Sequence, residues 1–284
     1  MNNYPRISVI IVTKNRCRFL KRTLDKLFED DYPNKEIIVI DGASTDGTIE
    51  LLKSYGGKIA NWVSEPDQGQ YDALNKGLPL ATGEIIKIIN DDDVARPSSF
   101  INAATYLAAH PEIDVVFGQT YFWDTRGKEP IMVDGAPRMD PRILTTRNWI
   151  RRSLEVPADI ASFSRKSVFD KTGPFSNQYL LGDVEFWARA AHLGINMALV
   201  PEYFLDYYIT GENAIGRIKR KDLWVYVDIA RYYGDWTDVL YNLITKLDWG
   251  IVRRVFNSLG IHPARWWKMK NQYRTGIQST QLKE

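Results

Sequence analysis

Residues 7–118 alternate short apolar, β-branched runs with segments in which apolar residues recur at helical spacing. The predicted strands cover residues 7–13, 36–40, 59–63, 84–90 and 115–118, and the predicted helices cover residues 19–28, 48–55, 71–80 and 98–110. Strands that alternate with helices in this way form a parallel sheet, joined by right-handed crossovers. The sequence therefore predicts an α/β fold with a doubly wound, mostly parallel sheet.

Polar side chains follow four of these strands at the point where each strand ends. The segments are Thr13 to Arg16, Asp41 to Gly47, Glu65 to Gly69, and Asp91 to Asp93. Each segment alone is explained by ordinary turn or helix-cap chemistry. However, the carboxyl ends of parallel strands meet at one edge of a sheet, where open α/β folds bind ligands. Together the four segments predict a ligand site.

The acidic triplet Asp91, Asp92 and Asp93 is the strongest chemical signal in this set. Three carboxylates directly after a buried strand repel one another unless a cation neutralises them. One or two carboxylates together with phosphate oxygens are the usual ligands of Mg²⁺ or Mn²⁺. The triplet therefore predicts a divalent metal site, and a solvated acidic turn is the alternative.

Three segments in combination resemble glycosyltransferase family 2: Val9 to Arg16, Val39 to Thr48, and Asn90 to Asp93. The resemblance continues through Ile160 to Arg165 and Gly182 to Arg189, and it covers about residues 5–210. It implies the GT-A fold of nucleotide-diphospho-sugar transferases, a nucleotide-sugar donor and inversion at the anomeric carbon. One position departs from the family, which commonly reads Asp-Asp-Gly-Ser in its nucleobase loop, because the second Asp is Gly42 here.

The resemblance implies that Asp91 and Asp93 hold a divalent cofactor, Mn²⁺ or Mg²⁺, since they match the family's Asp-x-Asp pattern. A divalent cation stabilises the negative charge that develops on the leaving diphosphate. The strand ends and the resemblance together predict a set of donor-binding residues: Thr13, Asn15, Asp41, Asp46, Asp67, Lys76 and Asp92. For Lys76, a solvated helical lysine is the alternative.

Inversion requires a base that takes the proton from the acceptor hydroxyl as its oxygen attacks the sugar. The resemblance assigns this catalytic role to Asp183, in Gly182-Asp183-Val184-Glu185, which matches the family's later acidic motif. Asp183 also suits a helix N-cap, and the two roles can coexist. Glu185 is the second choice for the base, and Arg189 suits either an ion pair or a solvated helix surface.

The charge distribution predicts two parts of the chain. Residues 1–216 hold 24 basic against 29 acidic side chains, whereas residues 217–284 hold 13 against 6, together with five of the nine tryptophans. We therefore predict a catalytic domain over 1–216, with a nucleotide-binding half over about 1–95 and an acceptor half over about 96–216. A basic, Trp-rich helical extension follows.

Two interpretations of the extension stay open. Basic residues and tryptophans on amphipathic helices suit an anionic membrane surface, and plain packing on the catalytic domain is the alternative. No stretch is long and apolar enough for a transmembrane helix, and the first strand begins too early for a signal peptide. We expect a cytoplasmic protein, which the first interpretation places peripherally at the inner face of the cell membrane.

The composition and the absence of certain motifs argue against several other classes of protein. A single cysteine excludes an internal disulfide, three dispersed histidines disfavour a zinc site, and no nucleic-acid motif or overall basic balance is present. No Gly-x-Gly-x-x-Gly follows a strand, which disfavours a dehydrogenase. A sugar-nucleotide-forming nucleotidyltransferase would need a glycine-rich loop after the first strand. A non-catalytic nucleotide-sugar-binding or membrane-scaffold protein is the main alternative to the enzyme.

The function predicted from the sequence is therefore inverting, metal-dependent transfer of a sugar. The expected donor is a nucleotide-diphosphate sugar, a UDP-sugar first among them. The expected acceptor is a hydroxyl of a glycan or a lipid-linked molecule, in surface polysaccharide biosynthesis.

Overall fold

The computed structural model describes residues 4–124, 132–133, 159–210, 222, 224–235, 237–239 and 242. Its strands are β1 Ile7–Thr13, β2 Lys35–Asp41, β3 Asn61–Ser64, β4 Ile85–Asn90, β5 Val94–Ala95, β6 Val115–Asp124, β7 Met132–Val133, β8 Ser162–Arg165 and β9 Met197–Ile209. Its helices are α1 Cys17–Glu29, α2 Thr48–Ser54, α3 Gln70–Gly77, α4 Ser99–Ala109, α5 Ser167–Thr172, α6 Gly182–His192 and α7 Trp224–Tyr233. Short 3₁₀ turns cover Gly56–Lys58, Leu78–Leu80 and Asp159–Ala161.

The described strands form one sheet in the order β3-β2-β1-β4-β8-β6-β9-β5, and β7 pairs with the outer part of β6. The first four strands in this order are parallel, as are β6 and β9. β8 runs antiparallel to both β4 and β6, and β5 runs antiparallel to β9. The predicted α/β fold with a mostly parallel sheet is confirmed.

The predicted helix over 71–80 is shorter in the structure. α3 ends at Gly77 and continues as a 3₁₀ turn that contains Pro79. A Cβ at Gly77 would lie 2.9 Å from a side-chain atom of Ile10 and 3.1 Å from one of Ile40. This glycine therefore lets the end of α3 lie directly on the parallel strands.

Apolar side chains cover both faces of the sheet. α1 and α4 pack on one face through Leu20, Leu24, Phe100 and Leu107. On the other face, α3, α5, α6 and α7 form a second core that includes Leu74, Val168, Phe186 and Ile229. The register pairs Thr13 with Asp41 and Val12 with Asn90, so the polar ends of β1, β2 and β4 lie side by side.

The first helix of the predicted C-terminal extension belongs to the second core. Val225, Tyr226, Ile229 and Ala230 of α7 are buried in the same cluster as Phe186 of α6. A fully buried Val or Ile side chain contributes about 1.5–3 kcal/mol, so α7 stabilises the domain that precedes it. Most of the basic residues and tryptophans of the extension lie outside the described residues, although Trp224 is described and is 49% exposed.

Within the part of the chain that the structure describes, no helix has the length and apolar character needed to cross a membrane.

Candidate active site

An arginine joins two members of the acidic triplet. Arg16 donates a hydrogen bond from Nε to Asp91 Oδ1 at 2.8 Å and a second from Nη2 to Asp92 Oδ2. Thr13 Oγ1, at the end of β1, donates to the other oxygen of Asp91 at 2.7 Å. Asp91 and Asp92 are 5% and 4% exposed. The two carboxylates therefore face one common positive group at the carboxyl edge of the sheet.

Asp93 has a different environment from its two neighbours. Its side chain is 0% exposed. Asn90 Nδ2 donates to one carboxylate oxygen at 2.9 Å, and the backbone N–H of Tyr208 on β9 donates to the other at 3.0 Å. Both oxygens of Asp93 thus accept protein hydrogen bonds, and the contact with Tyr208 ties the triplet to β9.

α1 fixes the backbone of the triplet. Thr23 Oγ1 lies 2.9 Å from the carbonyl oxygen of Asp91 and 2.7 Å from that of Asp93, and Arg22 donates to the carbonyl of Asp92. The Arg22 guanidinium also lies 3.9 Å from the ring centroid of Tyr208. These contacts hold the triplet in place from the helix that follows β1.

Burial raises the pKa of all three carboxyl groups. The pKa of Asp91 rises to about 6 because of burial, although Arg16 and Thr13 act in the opposite direction. Burial raises the pKa of Asp92 and, together with the charge of Asp92, raises that of Asp93 well above its usual range. Arg16 and Arg22 oppose the rise for Asp92 but do not cancel it, so additional positive charge at this edge favours the ionised forms of the carboxyl groups.

The triplet suits a divalent metal in the chemistry of its ligands, because hard cations prefer carboxylate oxygens. Asp91 and Asp92 already share a cation, the Arg16 guanidinium, which marks where positive charge is stabilised. Among the described residues, no group of three or more His, Cys, Asp or Glu side chains is arranged to hold a metal ion. A metal bound here would therefore need oxygens from a ligand such as a diphosphate.

Asn15 and Asp46 join the loop after β1 to the loop after β2. Asn15 has a left-handed backbone with φ of 54°, and its side-chain oxygen accepts from the backbone N–H of Thr45 at 2.8 Å. Asp46 accepts from the N–H of Cys17 at 2.9 Å and from Thr48 Oγ1 at 2.6 Å. Burial works to raise the pKa of Asp46, but these hydrogen bonds outweigh it and lower the pKa. The hydrogen bonds of Asn15 and Asp46 therefore stabilise the conformation of the loops after β1 and β2.

Asp41 is fully buried at the end of β2. One carboxylate oxygen accepts from the N–H of Ser44 at 3.0 Å and from Ser64 Oγ at 2.5 Å, and the other accepts from the Ser44 hydroxyl. The backbone N–H of Gly42 donates to the carbonyl of Thr13 at 2.9 Å, which brings the ends of β1 and β2 together. Asp41 thus organises three adjacent strand ends.

Asp67 occupies the space beside Gly42, where the family commonly has a second Asp. A Cβ at Gly42 would lie 2.1 Å from Asp67 Oδ2 and 3.0 Å from Lys14 Cδ. Asp67 also accepts from the N–H of Gly69 at 2.9 Å and lies 3.8 Å from Lys14 Nζ. A carboxylate is therefore present at this point of the loop, although it comes from the segment after β3.

Lys76 is directed at the loop after β3. Its Nζ donates to the carbonyl of Pro66 at 2.8 Å and forms ion pairs with Glu65 at 2.9 Å and Asp72 at 3.4 Å. Lys76 therefore supports the backbone next to Asp67, a contact that the predicted donor-binding role did not include.

Asp183 lies in the first turn of α6 and is partly buried. Tyr71, in the first turn of α3, donates from its hydroxyl to Asp183 Oδ1 at 2.7 Å. Burial raises the pKa of Asp183, whereas the hydrogen bond from Tyr71 opposes the rise. α3 follows the Asp67 loop directly, so Asp183 is connected to the strand-end site through one helix.

Glu185, the second choice for the base, has structural partners. Arg189 donates to both of its oxygens, at 2.9 and 3.0 Å, and Tyr233 of α7 donates to one of them at 2.9 Å. Arg189 also donates hydrogen bonds to the carbonyl oxygen of Thr172 and, at 2.7 Å, to that of Pro174. Glu185 therefore fastens α6 to α7, and its geometry favours Asp183 as the base.

The loops at the carboxyl edge of the sheet bring together most of the predicted site residues: Thr13, Asn15, Asp41, Asp46, Asp67, Asp91, Asp92 and Asp93. Their ligand-binding roles stay predictions. Sequence reasoning assigned no role to Arg16 or Tyr71. Arg16 could have been noticed because it is the basic residue in a strand-end segment that faces an acidic triplet. Tyr71 pairs with a residue 112 positions away, for which the sequence carries no local signal.

Solved structures share this fold. S. aureus TarS, residues 1–349 in complex with UDP-GlcNAc, aligns with a TM-score of 0.65 at 16% identity over 85% of this chain and 73% of that one. The mannosyltransferase PcManGT from Pyrobaculum calidifontis, in complex with GDP-Man and Mn²⁺, aligns with a TM-score of 0.65 at 21% identity over 96% and 81%. The sheet and its helices therefore form a GT-A glycosyltransferase fold.

Sequence relatives narrow the class further. The model of Glycosyl transferase family 2 matches residues 8–174, more than half of the chain. A PGL/p-HBAD biosynthesis glycosyltransferase of Mycobacterium bovis is 28% identical over 204 residues, 70% of this chain and 73% of that protein. A glycosyltransferase of Methanocaldococcus jannaschii is 24% identical over 260 residues, 86% and 88% respectively. The chain belongs to glycosyltransferase family 2 and is a glycosyltransferase.

Proposed function

We propose that this glycosyltransferase moves a sugar, with inversion, from a nucleotide-diphosphate sugar to a hydroxyl of a glycan or lipid-linked acceptor. The observation that carries the proposal is the pair of buried carboxylates, Asp91 and Asp92, held on Arg16 at the end of β4. Excess buried negative charge at a sheet edge that also collects Thr13, Asn15 and Asp41 suits a metal-bound diphosphate.

Of the two residues predicted to hold the metal, Asp91 keeps that role in the proposal. Asp92 takes the second place instead of Asp93, because Asp91 and Asp92 face the same cation, Arg16, whereas the partners of Asp93 are Asn90 and the backbone of Tyr208. A bound Mn²⁺ or Mg²⁺ would supply a Lewis acid for the charge on the leaving diphosphate. Arg16 would then have to share or yield its position between the two carboxylates.

Asp183 is the proposed base. The acceptor oxygen attacks the anomeric carbon and forms the new glycosidic bond as the bond from that carbon to the diphosphate breaks. The acceptor proton passes to the ionised carboxylate of Asp183, and the nucleoside diphosphate leaves with the bonding electron pair. Asp67 beside Gly42 and Asp41 nearby are the proposed contacts for the nucleobase and ribose, and a uracil nucleotide is the first choice.

Release of nucleoside diphosphate tests this proposal. A panel that includes UDP-GlcNAc and GDP-Man is incubated with the protein and Mn²⁺, with and without EDTA, and with water as acceptor. The proposal expects release from at least one donor, and loss of release with EDTA and in Asp91→Ala. The Asp25→Ala variant is the control, since the partners of Asp25 among the described residues are Lys21 on α1 and Tyr55, which directly follows α2. Binding without release would favour a non-catalytic nucleotide-sugar-binding protein.

We also propose that the chain acts in surface polysaccharide biosynthesis in the cytoplasm, attached at the inner face of the membrane. The basic excess and tryptophans of residues 217–284 support the attachment. The apolar face of α7 is buried against the catalytic domain, so that face is not available to bind a membrane. Co-sedimentation with anionic and neutral vesicles at low and high salt is the test, and equal pelleting with both would contradict it.

A further inference from the structure

The proposed base is held by a side chain from the donor side of the molecule. The Tyr71 hydroxyl lies 2.7 Å from Asp183 Oδ1 and 3.3 Å from the carbonyl oxygen of Leu180, and the residue is 6% exposed. A buried phenol that donates to a carboxylate fixes the orientation of that carboxylate. The carboxylate also accepts backbone hydrogen bonds from Asp183 and Val184. Two carboxylate oxygens offer about four lone-pair sites, so Asp183 keeps the capacity to accept a proton.

The position of the Tyr71 ring is fixed by two neighbours. A Cβ at Gly182 would lie 2.8 Å from Cε2 of the ring and 2.7 Å from the carbonyl oxygen of Ser176, so only glycine permits this approach. On the other side, Phe175 stacks on Tyr71 with ring centroids 5.7 Å apart and an angle of 17°. The orientation of the Tyr71 hydroxyl is therefore fixed by the packing of the ring as well as by the hydrogen bond to Asp183.

A second contact, one turn along α3, holds the same segment. Asn75 Nδ2 donates to the carbonyl of Phe175 at 2.9 Å, and the N–H of Phe175 donates back to Asn75 Oδ1 at 2.9 Å. Tyr71 and Asn75 are four residues apart and share one face of the helix. α3 therefore contacts residues 175–183 at both ends of that segment, Phe175 through Asn75 and Asp183 through Tyr71.

The start of α3 is tied to the proposed donor loop. The N–H of Gly69, whose φ is +127°, donates to Asp67 at 2.9 Å, and the N–H of Gln68 donates to Asp72 at 3.1 Å. The end of α3 rests on the parallel strands through Gly77. One short helix thus connects the loop that carries Asp67 with the carboxylate of Asp183.

We propose that Tyr71 is a positioning residue for this transferase, whose hydroxyl fixes the Asp183 carboxylate relative to the donor loop so that α3 aligns base and donor. The inference rests on the proposed function of Asp183 as the base. It predicts that removal of the hydroxyl impairs the chemical step and leaves donor binding intact.

The hydrogen bond also affects when Asp183 is ionised. Burial raises the pKa of Asp183 and Tyr71 opposes the rise, so loss of the hydroxyl raises the pKa further. Since the base acts in its ionised form, the acid limb of the rate profile then moves to higher pH. Charged and titratable side chains on the surrounding elements pair with one another: Lys76 with Glu65 and Asp72, Arg189 and Tyr233 with Glu185, and Tyr179 with Asp228.

The test compares Tyr71→Phe with Tyr55→Phe in the full-length protein. Tyr55, which is partly buried and directly follows α2, donates to Asp25 of α1 at the same distance, 2.7 Å, and makes no contact with Asp183, so it is a matched control. Steady-state release of nucleoside diphosphate, with water as acceptor and the best donor of the panel, gives kcat and the donor KM as functions of pH. Thermal melts of both variants establish that they are folded.

For Tyr71→Phe we expect kcat to fall by about tenfold or more, on the scale of a misaligned catalytic group, with an unchanged donor KM and an acid limb at higher pH. Tyr55→Phe should match the wild type. An unchanged kcat and limb in Tyr71→Phe, or a rise in donor KM alone, would overturn the positioning role and leave the proposed function standing. A wild type that releases no nucleoside diphosphate from any donor, or full release by Asp183→Asn, would overturn the proposed function itself.

Discussion

The proposed donor side and the proposed acceptor side of this transferase are built in different ways. On the donor side, parallel strands β1, β2 and β4 end in register, and short loops hydrogen-bond to one another across them. On the acceptor side, Asp183 depends on partners distant in sequence, and Glu185 joins α6 to α7. The comparison teaches that local sequence motifs specify the donor side, whereas the proposed base depends on tertiary packing.

The largest expected effect is a loss of sugar transfer without a loss of nucleotide binding, when only the proposed base is changed. Asp183→Asn should reduce transfer by roughly a hundredfold or more, because the loss of a general base has that scale, while nucleotide affinity stays unchanged. Kinetics of nucleoside diphosphate release, with calorimetry of nucleotide binding, measure both quantities. Glu185→Gln is the comparison variant, since Glu185 has structural partners. Full transfer in Asp183→Asn, with loss of transfer in a folded Glu185→Gln, would identify Glu185 as the base.

The second prediction tests whether the acceptor side needs α7. Ile229→Ala removes a buried side chain from the core shared by α6 and α7, and we expect it to lower the free energy of unfolding by about 2–5 kcal/mol. Denaturant unfolding measures the change. The exposed Tyr232→Ala on the same helix should change stability little. An Ile229→Ala variant as stable as the wild type would mean that α7 is a separable attachment.

Sequence patterns and the structure agree best where the pattern is local. β1 covers the predicted residues 7–13 because its apolar run is bounded by polar residues, and the four polar strand ends converge because parallel strands share one direction. The role of α7 could not be predicted, since a helical spacing of apolar residues does not show which surface they cover. The same limit applies to the surroundings of Asp93, because one of its carboxylate oxygens accepts from the N–H of Tyr208, 115 residues away.

A third prediction perturbs the donor side at the position where the chain departs from its family. In Gly42→Ala the added Cβ would overlap Asp67 Oδ2, so Asp67 must move. We expect nucleotide affinity to fall by about tenfold, the equivalent of about 1.4 kcal/mol, with little effect on stability because the displaced groups are side-chain ends. Calorimetric titration with UDP measures the loss. Unchanged affinity would show that the position of Asp67 is unimportant for binding.

The smallest expected effect concerns the neighbouring residue. Ala43 has a left-handed backbone with φ of 59°, a conformation that glycine adopts at lower cost. We expect Ala43→Gly to raise the free energy of unfolding by about 0.5–1 kcal/mol in total. This net gain is the relieved backbone strain minus the cost of the greater conformational entropy that glycine has in the unfolded chain. Thermal or denaturant unfolding measures it. A clear loss of stability would mean that the Ala43 methyl group makes a packing contact that outweighs the backbone strain.

The proposed nucleotide site depends on a metal held by the buried carboxylates next to Arg16. Calorimetry of UDP and GDP binding, with and without Mn²⁺, tests it most directly in the wild type and in Asp91→Ala, Asp92→Ala and Asp93→Ala. We expect Mn²⁺-dependent binding in the wild type and its loss in Asp91→Ala and in Asp92→Ala, whereas a folded Asp93→Ala should retain metal dependence with altered affinity. Binding that is equally strong without Mn²⁺, or that keeps its full metal dependence in both Asp91→Ala and Asp92→Ala, would contradict it.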